Sequence, residues 1–247
     1  PFSFFNCFSA NPPILIFSPA RRVRDNTTKH TMENALVHDE VVNNIVNYDI
    51  VEQMSLASTE YDEGVNEFLK SGLTPVDSIM VKPPRVGEAP VAFECKILEV
   101  KPLGTEGGAG NLIICEVLLM HIKDEVLDTE ERIDPFKLDA VARMGGNWYC
   151  RAQGDAIFEI PKPLSTKGIG VDQIPEYIRN SPVLTGNNLG RLGNIEQLPT
   201  FEEVNAYQEQ PEVMLVIENG SAHHFAKGLL EKRLVIEAWK VLLASNQ

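Results

Sequence analysis

The chain has 247 residues, 43% of them hydrophobic, enough to bury a full core as one large domain or as one domain with an extension. A formal charge of -13 argues against a nucleic-acid-binding surface or an attraction to anionic membranes, both of which need clustered Lys and Arg. No apolar run approaches the length that spans a bilayer, so the sequence reads as a soluble protein with small-molecule or protein partners still open.

The chain opens on PFSFFNCFSANPPILIFSP, where Ser3, Asn6, Ser9 and Asn11 set short polar side chains among Phe, Ala and Pro. Such a polar turn suits a flat, largely apolar ligand edged with polar atoms. It equally suits an ordinary loop ahead of a core strand. Pro12 and Pro13 fix the backbone, and residues 14–17 read as a strand.

Residues 20–31 then carry Arg21, Arg22, Arg24 and Lys29 against one acid, Asp25. A helix is expected from about Met32 through Leu36, capped by Thr28 or Thr31. Its N–H groups and dipole would stand beside the basic side chains, a place for a phosphate. A solvated basic loop is the plainer reading of the same residues.

Residues 40–46 read as a strand, 48–58 as a short helix, and 66–71 as a helix ended by Gly72. Residues 82–85 form a rigid turn. Residues 90–100 and 112–122 are apolar strands joined by a glycine-containing loop, which predicts a long antiparallel ribbon. The acidic run at Asp124, Glu125, Asp128, Glu130 and Glu131 reads as a solvated turn, since paired carboxylates need shelter to separate their pKa values.

Asp134 and Pro135 predict the cap and first turn of a helix reaching toward Ala142 and closed by Gly145 and Gly146. Residues 147–151 and 156–160 then read as two short strands around Gln153, Gly154 and Asp155. Several strands with only short helices favour a mainly β architecture, a barrel with peripheral helices.

From Pro161 the texture turns rich in Pro and Gly, a domain boundary or long extension. Thr200 and Glu203 have capping-box spacing for a helix over 200–208, and residues 221–244 read as one amphipathic helix. Gly186, Gly190 and Gly193 lack dinucleotide-loop spacing and read as turn glycines. No phosphate loop, nucleophile elbow or metal-ligand spacing is present, and His223 with His224 lacks further ligands in sequence. Cys7, Cys95, Cys115 and Cys150 form no C-x-x-C pair and read as reduced thiols of a cytoplasmic protein.

Several blocks in order resemble the flavin reductase-like, FMN-binding split-barrel family: the opening SFFNCFSANPPILIFSP, the basic Lys29-His30-Thr31, residues 48–61, KPPRVGEAPVAFEC at 82–95, the strand ending in His121, and RMGGNWY at 143–149. His30 stands where the family usually has an acid. The resemblance covers residues 1 to about 163 and implies a six-stranded antiparallel Greek-key split barrel over 1–163, followed by an extension over 164–247. It further implies a homodimer with FMN near the subunit interface.

Carried onto matching positions, Ser3, Phe4, Phe5, Asn6, Ser9, Ala10 and Asn11 would hold the flavin ring and ribityl chain. Ser18, Arg21, Arg22, Lys29 and Thr31 would hold the phosphate. Arg143, Gly146, Asn147 and Tyr149 would flank a pocket where a nicotinamide could stack. The resemblance implies hydride transfer from NADH or NADPH to flavin, with free flavin or a protein as the electron acceptor. A flavin-binding electron-transfer module without nicotinamide activity is the alternative. Flavin carries the redox chemistry, so no catalytic side chain is required. The family places a strand ahead of the opening motif, so one is expected to precede Pro1.

Overall fold

The computed structural model describes residues 1–163 and 165–246 and divides into two compact units, Pro1–Phe158 and Glu159–Gln247.

The first unit is built on a five-stranded antiparallel sheet in the order β1-β2-β7-β6-β3. Strands β1 (Phe5–Ala10) and β2 (Pro13–Phe17) form a hairpin turning at a cis Asn11–Pro12 bond. The expected polar turn is therefore mostly strand. A bulge leaves Phe8 without an opposite number between Cys7↔Leu15 and Ser9↔Ile14, and its ring is exposed.

Helix α1 (His30–Val37) follows. Neither Thr28 nor Thr31 caps it: Lys29 is the N-cap, and its ammonium, a donor only, supplies no side-chain bond, while the Thr28 hydroxyl donates to Glu33 Oε1 at 2.5 Å. Strand β3 (Glu40–Asn44), helix α2 (Val51–Leu56) and helix α3 (Glu67–Ser71) come next. Asn66 caps α3, and Gly72 ends it at φ 68°, as the sequence predicted. The short strands β4 (Pro75–Val76) and β5 (Arg85–Val86) pair with each other.

The long strands β6 (Val91–Pro102) and β7 (Asn111–Ile122) form the expected ribbon, and Leu15, Phe17, Cys95, Ile97, Ile113 and Cys115 form the core beneath it. Helix α4 (Pro135–Leu138) has the predicted Asp134 cap but stops well short of Ala142, because Asp139 takes the left-handed conformation at φ 49°. Residues assigned to its end instead form β8 (Val141–Gly145), paired with β9 (Trp148–Arg151). Gly146 and Asn147 make the turn of this hairpin, and Gly145 and Gly146 take the positive φ values of 98° and 53° that it needs. The strand expected over 156–160 does not form; residues 154–156 make one 3₁₀ turn.

The second unit is helical: α5 (Glu176–Arg179), α6 (Gly186–Leu192), α7 (Phe201–Gln208), α8 (Pro211–Glu218), α9 (Ala222–Glu231) and α10 (Val235–Ala244). Gly186 and Gly190 lie inside α6 rather than in turns, since Thr185 and Asn188 form a reciprocal capping box that starts the helix. The single helix expected over 221–244 is two. Arg233, at φ 63°, breaks it, and the N–H groups of Arg233 and Leu234 close α9 on the carbonyls of Leu230 and Leu229. Trp239 sits fully buried at the centre of this unit and donates Nε1–H to the Leu192 carbonyl at 3.0 Å. Among the described residues no helix is long and apolar enough to cross a membrane.

Candidate functional site

The ring-binding and phosphate-binding segments anticipated from sequence meet in the first unit. The Ser18 N–H donates to the Phe4 carbonyl at 2.9 Å, so the chain leaving β2 returns beside the start of β1. The Lys29 ammonium lies 5.5 Å from the centre of the Phe2 ring, which in turn packs 5.5 Å from Phe17. The loop joining β6 and β7 supports the basic segment from below: Arg21 N–H donates to Ala109 and Gly108 N–H to Arg21, both through backbone carbonyls. A Cβ on Gly107 would stand 3.1 Å from the Arg22 carbonyl, so glycine permits this approach.

The basic side chains differ in what already holds them. Arg22 bonds Glu60 at 3.0 Å and the Thr27 hydroxyl at 3.0 Å, and also donates to the Thr28 carbonyl. Arg24 pairs with Asp25 and Glu60. The Thr27 hydroxyl, then Arg24, then the Thr27 N–H hold the Asp25 carboxyl down at about 2. Arg21 by contrast is fixed by a neutral partner, Asn26, at 2.7 Å to Oδ1 and 2.5 Å to the carbonyl. Among the described residues neither Arg21 nor Lys29 has a carboxylate within ion-pair reach.

The ring-side residues lie on β1 or at its ends. Ser3, Phe4, Asn6, Ala10 and Asn11 are exposed, and Phe5 and Ser9 are half-buried. Asn6 Oδ1 accepts the Cys7 N–H at 2.8 Å. Ser18 is buried, its oxygen accepting the Asn111 N–H at 3.1 Å. Thr31 lies instead on the wall of a cleft of about 540 Å³ shared with Phe17, Asn34, His38, Lys82 and Ile97.

These features fit FMN. Lys29 stands at a helix start that no side chain caps, and neither it nor Arg21 of the same segment pairs with a carboxylate among the described residues, which suits a phosphate. The exposed strand edge with Phe4 and Phe8 suits a flat ring.

Arg143, Gly146, Asn147 and Tyr149 lie together on the β8–β9 hairpin, in a two-stranded sheet separate from the one that carries β1. Their hairpin pairs only with itself, and a bridge between Asn47 and Ala140 joins it to the end of β3, the opposite edge strand from β1. Arg143 donates to the Gly146 carbonyl at 2.9 Å. Beyond the half-buried Val141 the hairpin is exposed, Met144 at 69% and Trp148 at 78%.

One buried polar centre escaped the sequence reading. Glu94, 0% exposed, accepts the N–H groups of Ile79, Met80 and Val81, and His121 Nε2 at 2.6 Å. Burial pushes the Glu94 carboxyl up, but the Ile79 and Met80 N–H groups and the His121 ring outweigh it and hold it below the ordinary range. An ionised carboxylate can only accept, so the His121 proton sits on Nε2. A charged residue at the centre of VAFECKIL was the available signal.

Comparison with known proteins bears on the fold and family of the first unit. An uncharacterized protein of Aquifex aeolicus is 38% identical over 160 residues, covering 65% of this chain and 79% of that protein. The uncharacterized protein YwrF of Bacillus subtilis is 30% identical over 154 residues, 61% and 74% of the two chains. Among solved structures, nitrilotriacetate monooxygenase component B from Bacillus cereus superposes with a TM-score of 0.59 at 28% identity, covering 65% of this chain and 78% of that one. A split-barrel-domain protein from Shewanella frigidimarina gives 0.55 at 29%, covering 65% and 76%. Residues 1–136 match the flavin reductase like domain, and with that match over more than half its length the chain belongs to the flavin reductase-like family.

Proposed function

We propose that the Pro1–Phe158 unit binds FMN and transfers hydride from NADH or NADPH to it, as a homodimer, with free flavin or a partner protein taking the electrons. The observation that carries this reading is the return of the chain leaving β2 beside Phe4, with Lys29 over Phe2, in a segment where Arg21 and Lys29 are the two basic side chains that pair with no carboxylate among the described residues. Bound flavin would supply the redox chemistry, accepting hydride at its ring.

The chain's own part is binding and positioning. Lys29, Arg21 and the first N–H groups of α1 would hold the phosphate, while the backbone of β1 and the Phe4 side chain would orient the ring. The placement of Arg143 and Tyr149 on a hairpin bridged to the end of β3, the edge strand opposite β1, supports a homodimer in which a second copy brings them beside the ring. The exposed Phe4, Phe8, Met144 and Trp148 supply apolar area for such an interface. A six-stranded closure of the sheet is the finer architecture that goes with this reading.

The experiment is an anaerobic titration of purified protein with FMN, followed by NADH or NADPH. A bound-flavin spectrum bleached by either donor is expected. Protein that binds no FMN refutes the proposal, and bound FMN that neither donor reduces assigns the unit to electron transfer alone.

A further inference from the structure

A second cleft, of about 350 Å³, opens at the other end of the β6–β7 ribbon, lined by Arg85, Val86, Gly87, Pro90, His121 and Lys123 among others. It is remote from the flavin cradle along the strand. Residue Ile14 of β2 pairs with Glu116 of β7, and His121 lies five residues further, roughly 17 Å at about 3.4 Å per residue.

The charges around this cleft are unbalanced in one direction. Arg85 is half-buried, and its Nε and Nη2 reach only the Asp77 carbonyl, each at a long 3.4 Å. No carboxylate among the described residues pairs with it. Lys123 Nζ donates to the Glu88 carbonyl at 3.0 Å and meets one acid, the exposed Glu125, at 3.7 Å.

The nearby acids are hydrogen-bonded elsewhere, although the Glu88 carboxyl still feels the Lys123 charge. Glu88 accepts the Thr74 N–H at 2.9 Å, and Glu94 is committed to His121 and three backbone donors. A half-buried guanidinium without a counter-charge costs stability unless something answers it, and in a protein of net charge -13 the chain had many acids to place there.

We infer that this cleft is an anion site, taking a small molecule that bears a carboxylate or a phosphate, clamped between Arg85 and Lys123. Arg85 offers a planar fork that matches either oxyanion, and Lys123 adds a point charge from the neighbouring strand end.

The test is calorimetric titration with two probes, malonate and inorganic phosphate, into protein carrying Lys29→Ala, which weakens the competing basic segment. Saturable binding of at least one probe is expected, and the tighter of the two identifies the source of the oxyanion. Arg85→Gln and, separately, Lys123→Met should each weaken it tenfold or more with an unchanged circular dichroism spectrum. FMN affinity, measured without the Lys29 change, should stay unaltered in both. Absence of saturable binding, affinity unchanged from the parent in both variants, or a parallel fall in FMN affinity overturns the assignment. Should Arg85→Gln fail to fold, Lys123→Met decides alone.

Discussion

Replacing Glu94 by Gln tests whether the buried carboxylate organises the first unit. Its Oε2 takes the N–H groups of Met80 and Val81 at 2.5 and 3.2 Å, and Oε1 takes Ile79 at 2.9 Å and His121 at 2.6 Å. A Gln amide can keep its oxygen at only one of those places. With oxygen at the Oε2 position, the NH₂ faces the Ile79 N–H and the His121 proton, and the latter must move to Nδ1. Charge assistance is lost from every bond and one donor confronts another, a cost of about 2–4 kcal/mol by the usual worth of buried charge-assisted bonds.

For a unit of this size that lowers the melting temperature by roughly 5–15 °C. The pH dependence supplies an independent sign. Because the native carboxyl is held below its ordinary 4.5, its stabilisation is complete above that value and is lost as pH falls through the lower native value. The gap between native protein and Glu94→Gln should therefore be full at pH 7 and shrink below about pH 4.5. Urea unfolding at both pH values measures it, since the other carboxylates titrate alike in both proteins. A gap under about 0.5 kcal/mol at pH 7, or one that stays constant into acid, refutes the reasoning.

Three further outcomes are expected. Trp239→Ala should cost about 3–5 kcal/mol, read from the helical circular dichroism signal in urea, because it empties the centre of the second unit and orphans the Leu192 carbonyl; a loss below about 1 kcal/mol contradicts that placement. Burial pushes the Cys95 and Cys115 thiols up to about 11 and about 12, so neither should react with a disulfide reagent at pH 8 until the protein is denatured, as peptide mapping would show. Met144→Asp should halve the mass seen by light scattering, from twice 27.5 kDa to the single chain, if the β8–β9 hairpin seats a second copy; an unchanged mass removes the hairpin from the interface.

Sequence disclosed those elements whose signals are local. The Asp134 cap, the Gly72 stop, the Thr200–Glu203 box and the apolar β6–β7 ribbon each follow from residues within a few positions of one another. What stayed hidden depends on partners far along the chain. Phe5–Ala10 is a strand because β2 supplies its hydrogen bonds, against the turn preference of Ser and Asn. Arg233 breaks the last helix in a conformation that glycine normally takes, so its side chain gave no warning. Glu94 and Cys95 are both fully buried at a β-bulge, where the two-residue alternation a reader would count on is interrupted. The candidate cradle divided in the same way. Its residues were legible as a composition, but which of the basic side chains remain electrostatically available was set by Asn26 and Glu60.

That distinction ranks the basic segment. A phosphate gains from a cation in proportion to the charge left unanswered, and Arg22 and Arg24 already share Glu60, with Arg24 also held by Asp25. Arg21 is fixed by an amide and a carbonyl, which orient the guanidinium without cancelling its charge and leave other N–H donors of its five uncommitted. Lys29 is placed by the Phe2 ring, again without neutralisation. Arg21→Ala and Lys29→Ala should thus each weaken FMN by roughly 10- to 150-fold, the equivalent of about 1.5–3 kcal/mol for a charged hydrogen bond, while riboflavin, which lacks the phosphate, changes little. Arg22→Ala should cost clearly less, because it removes a cation whose field Glu60 has largely spent and releases Glu60 to be hydrated. Fluorescence titration of the four proteins with both flavins measures the order, and a larger loss at Arg22 than at Arg21 would show that the carboxylate partner serves to aim the charge rather than to quench it.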